Sequence, residues 1–222
     1  MSEDDDVIVI DPPARASAAV IWLHGLGASG DDFVPIVPEL GLPAGHGIRF
    51  VFPHAPVRAV TINGGMQMRA WYDITGLSRT ALADRAGIEA SQQLVEQLIA
   101  QQRAAGIASE KIVIAGFSQG GAIALHTATR HAEPLGGILA LSTYLPLHES
   151  LAVEAASANR KIPIFMCHGT YDPVLPYALG EFSCAQLRAH GYEVDWRSYP
   201  MQHQVCMEEI EDIGRWLLQR LA

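Results

Sequence analysis

The sequence predicts an α/β fold with a mostly parallel central sheet that is flanked by helices. Four apolar runs are continuous rather than alternating, which is typical of strands covered on both faces: Ala18–Leu23, Ile112–Ala115, Ile138–Leu141 and Ile162–Cys167. Helical patterns lie between or after these runs, as in other α/β proteins. Polar, glycine-rich residues follow each run, at the sheet edge where the carboxyl ends of parallel strands meet and ligands bind.

Two helices are indicated by apolar residues at helical spacing. One stripe begins at Ile88 and predicts a helix over residues 83–105, which ends near Gly106. A second stripe predicts a helix over residues 206–221. Val7–Ile10 and Glu193–Tyr199 predict further strands. Because the chain has no internal repeat or long linker, we expect a single domain spanning residues 1–222.

Composition excludes several classes of protein. Apolar residues make up 49% of the 222 residues and charged residues 18%, which excludes a disordered chain. The formal net charge of −9 disfavours nucleic acid and anionic membrane surfaces as partners. The three cysteines, Cys167, Cys184 and Cys206, match no metal-binding spacing, so we expect no metal and interpret them as buried free thiols in a reducing compartment.

The start of the chain and its most apolar stretch favour a cytoplasmic protein. Residues 1–6 are acidic, whereas a signal peptide begins with basic residues. Residues 112–129 carry no Asp, Glu, Lys or Arg, but their Gly, Gln and His content would insert poorly into a membrane. We therefore expect no integral membrane segment.

Ser118 lies in a nucleophile pattern. The sequence Gly116-Phe117-Ser118-Gln119-Gly120 reads G-x-S-x-G, follows an apolar run and precedes a helical stretch. This is the context of a nucleophile elbow, a tight turn that presents a serine hydroxyl at the sheet edge. The helix N-terminus there favours developing negative charge. The pattern predicts Ser118 as a nucleophile, and a glycine-rich turn with an incidental serine is the alternative.

A serine nucleophile needs a base, and in this layout an acid and then a histidine follow it along the chain. Asp172 follows the run Ile162–Cys167, and His203 follows the predicted strand Glu193–Tyr199. Both are expected at the same sheet edge as Ser118, which makes them the predicted acid and base. The rival bases are His131, His148 and His190, and the rival acids are Glu181 and Asp195.

The loop after the first central strand predicts part of an oxyanion hole. In this layout one backbone N–H comes from that loop and another from the residue after the nucleophile. Leu26, between Gly25 and Gly27, and Gln119 are the predicted donors. We interpret His24 as a structural hydrogen-bonding residue rather than a base.

The same loop also matches the dinucleotide-binding pattern G-x-G-x-x-G over residues 25–30. Two features disfavour a dinucleotide. The next predicted strand, Ile48–Phe52, is followed by no acid for a ribose, and Asp31 and Asp32 would repel a pyrophosphate. We therefore expect no bound cofactor.

Residues 64–72 are predicted to form a loop with large apolar side chains. One interpretation is that Met66, Met68 and Trp71 pack on the body of the domain. The other is that they form a wall for an apolar acyl chain, to which methionine adapts its shape. These three, together with Leu145, are included among the expected substrate-binding residues.

Seven segments resemble the phospholipase/carboxylesterase family, which includes the acyl-protein thioesterases. They occur in the family order and span nearly the whole chain: LHGLGASGDDF (23–33), FPHAP (52–56), WYDI (71–74), GFSQGGAIAL (116–125), LSTYLP (141–146), HGTYDPVLP (168–176) and MQHQVCMEEI (201–210). Several motifs in register are far more specific than G-x-S-x-G alone.

The resemblance implies an α/β-hydrolase fold without a large cap domain. It implies Ser118 as nucleophile, Asp172 as acid and His203 as base, with Leu26 and Gln119 as backbone oxyanion donors. The resemblance also implies that the protein hydrolyses carboxylic esters, with thioesters and lysophospholipids as substrates of some members. Trp71 falls in the family's substrate-side loop. The resemblance allows a homodimer but no sequence feature demands one, so both a monomer and a homodimer stay open.

One departure from the family pattern concerns Gln202, where the family usually has glycine before the catalytic histidine. Either the loop is stiffer or its tip contacts the substrate, and Gln202 is included among the expected substrate-binding residues.

The primary hypothesis is a serine esterase that acts on a small-molecule or acylated ester through a triad and an acyl-enzyme. A module that binds an acyl chain or a partner on an inactive scaffold is one alternative, and a hydrolase using Cys206 or Cys167 is another.

Overall fold

A computed structural model describes residues 7–76 and 83–221 of the chain, so the acidic residues 1–6 lie outside the described part. The strands are β1 (Val7–Ile10), β2 (Ala18–Leu23), β3 (Ile48–Pro53), β4 (Val57–Val60), β5 (Met66–Arg69), β6 (Ile112–Phe117), β7 (Gly137–Leu141), β8 (Ile164–Gly169) and β9 (Val194–Tyr199). The α-helices are α1 (Arg85–Ala104), α2 (Gln119–Arg130), α3 (Leu151–Glu154), α4 (Tyr177–Ala189) and α5 (Met207–Leu221).

Seven of these strands form one sheet in the order β1-β3-β2-β6-β7-β8-β9. β1 runs antiparallel to β3, and the other neighbouring pairs are parallel. The predicted mostly parallel α/β sheet is therefore confirmed. That one domain spans residues 1–222 stays a prediction.

The predicted elements occur with small shifts at their ends. β2 has the predicted bounds, whereas β6 continues to Phe117, and the helical stretch expected after the G-x-S-x-G pattern, α2, begins directly after Ser118. β8 begins at Ile164 rather than Ile162, because Pro163 has no N–H to donate to a neighbouring strand. The carbonyl of Pro163 still accepts the N–H of Ile138 at 2.9 Å, so the two strands are joined from that point.

Side chains alternate between two apolar cores, one on each face of the sheet. In β2, Ala19, Ile21 and Leu23 join one core, whereas Ala18, Val20 and Trp22 join the other. The first core is completed by α1, α2 and α4. The second is completed by α5 and by a 3₁₀ helix, Gly30–Leu40. Burial on both faces explains why the strands are continuously apolar.

The loop predicted over residues 64–72 is wrong in part, because Met66–Arg69 pairs with Val57–Val60 in an antiparallel hairpin. Gly64 and Gly65 both have positive φ and make the reversal between the two strands. Half of the residues in these two strands are exposed and Val60 alone among them is buried, so no buried face produces the apolar alternation that marks a strand. The described residues between β3 and α1 include this small two-stranded hairpin, in keeping with the expected α/β-hydrolase fold without a large cap.

Candidate active site

Ser118 lies in a strained turn between β6 and α2. Its backbone has φ 55° and ψ −118°, a combination that L-residues rarely adopt. A Cβ at Gly116 would overlap the backbone of Gly120, and a Cβ at Gly120 would overlap the backbone of β2. The turn therefore needs glycine at both positions, as a nucleophile elbow does. The turn is held from β7, since Ser118 N–H donates to the Leu141 carbonyl at 2.8 Å.

The three residues predicted as a triad lie within hydrogen-bonding distance of one another. His203 Nε2 is 2.9 Å from Ser118 Oγ, and His203 Nδ1 is 2.6 Å from Asp172 Oδ2. Because an ionised carboxylate only accepts, Nδ1 carries the proton that points to Asp172. Nε2 is then free to accept the proton of the Ser118 hydroxyl, the arrangement in which a serine is activated.

Asp172 is fixed by backbone donors as well as by His203. Its Oδ1 accepts the N–H groups of Val174 and Leu175, both at 2.8 Å, and its side chain is fully buried. His168, at the end of β8, has its Nε2 3.0 Å from the Leu175 carbonyl and 3.5 Å from Asp172 Oδ2. Burial lowers the pKa of His168, so a neutral ring supports this loop.

The backbone N–H groups of Leu26 and Gln119 both belong to residues that line the cavity at Ser118. Within residues 7–76 and 83–221, neither N–H donates to a protein acceptor. The side chain of Gln119 is fixed by two backbone groups: it accepts the Trp71 N–H at 2.8 Å and donates to the Tyr72 carbonyl at 2.7 Å. The arrangement is compatible with two amides that receive an oxyanion, a role that stays a prediction.

His24 holds the loop that carries Leu26, and both of its ring nitrogens are hydrogen-bonded to backbone groups. Its Nδ1 is 2.7 Å from the Gly25 carbonyl, and its Nε2 accepts the N–H of Ala55 at 3.0 Å. Burial lowers the pKa of His24, which favours the neutral ring that this pair of hydrogen bonds requires. Trp71 Nε1 donates to the His24 carbonyl at 2.9 Å, so the indole anchors the same loop.

The cavity at Ser118 has a volume of about 700 Å³ and walls from both cores. We call the part of its lining formed by Ile62, Ile74, Tyr144, Val174 and Leu175 the first arm. We call the part formed by Phe117, the 3₁₀ helix Gly30–Leu40 and the start of α5 the second arm. No sequence pattern predicted the 3₁₀ helix of the second arm, because two prolines and a three-residue period hide this helix from a search at 3.6-residue spacing.

The five predicted substrate-binding residues are not among the described residues that line this cavity. Trp71 is buried beneath the loop of His24, and Leu145 lines a second, smaller cavity instead. Met66 and Gln202 are exposed, and Met68 is half-buried beside Gly27. Trp71 thus packs on the body of the domain, and its contact with His24 is structural. Contact of any of these five with substrate stays a prediction, without support from this geometry.

The rival residues lie elsewhere. His131 is paired with Glu96 at 2.7 Å, His148 lies beside Glu149, and His190 is bound to the carbonyl of Gln186. Of the rival acids, Asp195 forms an exposed ion pair with Arg197. None of the three histidines is hydrogen-bonded to a serine among the described residues.

The cysteine alternative is also disfavoured. Cys167 is fully buried in β8, and its thiol donates to Glu209 Oε1 at 2.7 Å. Burial raises the pKa of the Cys167 thiol, so it lacks the thiolate that a cysteine nucleophile needs. Cys206 is partly exposed but lies directly before α5, three residues beyond His203.

The dinucleotide pattern over residues 25–30 leads into the 3₁₀ helix, not into an α-helix whose N-terminus could bind a pyrophosphate. In the described ranges, no three His, Cys, Asp or Glu side chains are grouped to hold a metal ion. No helix of residues 7–76 or 83–221 is long and apolar enough to cross a membrane. The cytoplasmic location, the monomer or homodimer alternative and the lack of a nucleic acid partner, a cofactor or a metal stay predictions.

Comparisons with known proteins place the chain in a family. Residues 4–220 match the Phospholipase/Carboxylesterase family. The chain is 39% identical to acyl-protein thioesterase 1 of Neurospora crassa, over 96% of this chain and 91% of that protein. It is 36% identical to acyl-protein thioesterase 1 of Gibberella zeae, over 96% and 95% of the two chains.

Among solved structures, acyl-protein thioesterase 2 of Zea mays superposes with a TM-score of 0.88 at 32% identity, over 97% of this chain and 99% of that one. SOBER1 of Arabidopsis thaliana gives a TM-score of 0.88 at 30% identity, over 94% and 100%. Fold, family motifs and overall sequence therefore agree. The chain belongs to the phospholipase/carboxylesterase family of α/β hydrolases, and it is a carboxylic ester hydrolase.

Proposed function

We propose that this chain hydrolyses carboxylic esters, thioesters among them, through an acyl-enzyme formed on Ser118. One observation carries the proposal: a continuous hydrogen-bonded chain joins Ser118 Oγ to His203 Nε2 at 2.9 Å and His203 Nδ1 to Asp172 Oδ2 at 2.6 Å. The relatives named acyl-protein thioesterase support the thioester part of the proposal.

In the first step, His203 accepts the hydroxyl proton while Ser118 Oγ attacks the carbonyl carbon. The carbonyl oxygen gains negative charge and receives the backbone N–H groups of Leu26 and Gln119. His203 then donates its proton to the leaving oxygen or sulfur, the bond to the leaving group breaks, and the acyl group remains on Ser118.

In the second step, His203 accepts a proton from water, and the resulting hydroxide attacks the acyl carbon. His203 returns this proton to Ser118 Oγ as the acid is released. Throughout, Asp172 keeps the proton on Nδ1 and stabilises the imidazolium. Asp172 suits this role because its two backbone donors fix the carboxylate independently of His203.

The first arm of the cavity supports an apolar acyl group. It is lined by Ile62, Ile74, Val174, Leu175 and Tyr144, which carry little polar surface. Each buried methylene of an acyl chain would contribute roughly 0.8 kcal/mol. We therefore assign this arm to the acyl chain, with Ile62 and Val174 exposed at its rim.

The test measures turnover and covalent labelling together. Ser118→Ala should lower kcat on p-nitrophenyl butyrate by about 10⁴- to 10⁶-fold while the thermal midpoint changes little. A fluorophosphonate should add its mass to the intact chain and not to this variant. Ser198→Ala, at an exposed position in β9, is the matched control and should label fully.

The two alternatives give different outcomes in the same experiment. A binding module would give no adduct and no turnover, although an acyl ligand would still bind. A cysteine-dependent hydrolase would lose turnover with a thiol reagent and keep it with a fluorophosphonate. Full activity in Ser118→Ala would overturn the assignment of the nucleophile.

A further inference from the structure

The second arm of the cavity begins at the catalytic base. The Phe117 ring lies 4.8 Å from the His203 ring between centroids, and the Phe33 ring lies 5.6 Å from the Phe117 ring. Both phenylalanines line the cavity. A row of aromatic rings therefore leads from His203 to the 3₁₀ helix Gly30–Leu40.

One face of this 3₁₀ helix forms the wall of the arm. Side chains three residues apart lie above one another in a 3₁₀ helix. Phe33, Ile36 and Glu39 have this spacing, and all three line the cavity. The row thus begins with an aromatic ring, continues with an aliphatic side chain and ends with an exposed carboxylate.

Among the described residues, no cationic side chain pairs with the carboxylates of this arm. Asp32 and Glu39 both line the cavity, and no Lys or Arg is among its described lining residues. Neither carboxylate forms an ion pair within the described ranges. Asp32 Oδ2 accepts the N–H of Ser29 at 3.2 Å, a bond that leaves its negative charge in place.

The position of His203 decides which part of a substrate enters this arm. His203 must donate its proton to the leaving atom, so the leaving group lies on the side of His203. The Phe117 ring contacts His203 on that side, and the Phe33 ring contacts Phe117. Tyr144 and Ile74 belong to the first arm, which we assign to the acyl chain.

Aromatic faces and carboxylates attract the same ligand. Aromatic faces bind alkylammonium groups through cation–π attraction, and uncompensated carboxylates attract the same positive charge. The apolar Ile36 suits the methyl groups that a quaternary ammonium carries. The two features are independent, since one depends on ring faces and the other on net charge.

We propose that the second arm binds a cationic alkyl leaving group, so that esters of amino alcohols such as choline are preferred over their neutral counterparts. The proposal rests on the proposed esterase function and adds the class of leaving group. The Ser118 Oγ–C bond forms, the C–O bond to the amino alcohol breaks, and the Ser118 proton passes through His203 to the released hydroxyl. Water then frees the acid, and the ammonium takes no part in the bonds that change.

The experiment compares two butyrate esters of equal shape. Butyrylcholine carries a trimethylammonium group, and 3,3-dimethylbutyl butyrate carries a neutral tert-butyl group in its place. We expect kcat/KM to be about tenfold higher for butyrylcholine at low ionic strength. The preference should fall severalfold in 0.5 M NaCl, because salt screens the attraction of exposed carboxylates.

Variants assign the preference to the arm. The double variant Asp32→Asn, Glu39→Gln should reduce the ratio of the two kcat/KM values to about threefold or less, the part that the rings supply. Glu193→Gln is the matched control, because this exposed acid precedes β9 at the opposite edge of the sheet. The control should keep the full ratio.

The outcomes separate this inference from the function on which it rests. If p-nitrophenyl butyrate is hydrolysed and Ser118 is labelled but the ratio is near one, the inference is overturned and the esterase function stands. A ratio that survives in the double variant also overturns it. If Ser118 neither labels nor turns over any of the three esters, the proposed function itself fails.

Discussion

Two buried carboxyl groups, Asp172 and Glu209, differ in how their burial is compensated. The Asp172 side chain is fully buried, yet both of its oxygens accept N–H groups, from Val174, Leu175 and His203. Three donors replace the water that the carboxylate loses on folding.

Glu209, in the first turn of α5, lacks such a set of donors. The residue is fully buried, its Oε1 accepts the Cys167 thiol at 2.7 Å, and its Oε2 has no partner within the described residues. Burial raises the pKa of Glu209 to about 7. We infer from this difference that the number of hydrogen-bond donors, rather than the degree of burial, decides whether a buried carboxyl group can serve as an anion beside a histidine.

The largest expected effect comes from removing the charge of Asp172. In Asp172→Asn the amide oxygen can still accept the N–H groups of Val174 and Leu175, which leaves the NH₂ facing His203. The imidazole must then carry its proton on Nε2, where it cannot accept the Ser118 proton. We expect kcat on p-nitrophenyl butyrate to fall about 10⁴-fold. Asp195→Asn, which loses only an exposed ion pair, is the control, and a loss below tenfold in Asp172→Asn would contradict the role.

Asp172 and the other two triad residues could be predicted from the sequence. Ser118 and Asp172 follow strands that are readable as apolar runs, and His203 follows the strand predicted at Glu193–Tyr199. Parallel strands bring such ends together. Glu209 was not found, because an acid in the first turn of an amphipathic helix is ordinarily exposed, and no local pattern indicates that this one faces β8. Such burial depends on the packing of α5 on the sheet.

The next effect concerns how stability depends on pH. A carboxyl whose pKa is about 7 in the folded chain and near 4.5 in the unfolded chain binds more protons when folded. Between these values its contribution to stability therefore decreases as pH rises, by about 3 kcal/mol in total. Glu209→Gln has no charge to bury. As pH rises from 4.5 to 8, the free energy of unfolding of this variant should therefore increase by about 2–3 kcal/mol relative to that of wild type.

Urea unfolding of both proteins across this pH range provides the measurement. Glu208→Gln is the control, since Glu208 is the exposed neighbour of Glu209 in the same turn of α5. The control curve should stay parallel to wild type. If the Glu209→Gln curve is also parallel, Glu209 is not the buried acid that this comparison describes.

The walls of the cavity were the least predictable part of the site. Met66 was expected to contact substrate because large apolar side chains in a loop suggest a binding wall, but it lies exposed on the β4–β5 hairpin. Phe33 and Glu39 line the cavity instead. Their helix has a period of three residues and contains Pro35 and Pro38, so neither propensity nor a 3.6-residue stripe reveals it.

The smallest expected effect tests the thiol that donates to Glu209. Cys167→Ala removes the thiol that donates to Oε1, and this hydrogen bond stabilises the ionised carboxyl more than the neutral one. The loss of stability should therefore be about 1 kcal/mol larger at pH 8 than at pH 5, and Cys167→Ser, which keeps a donor, should recover part of it. Cys184→Ala, which removes another buried thiol, should lose the same amount at both pH values. An equal loss at both values for Cys167→Ala would mean that the thiol fills space beside Glu209 without supporting its charge.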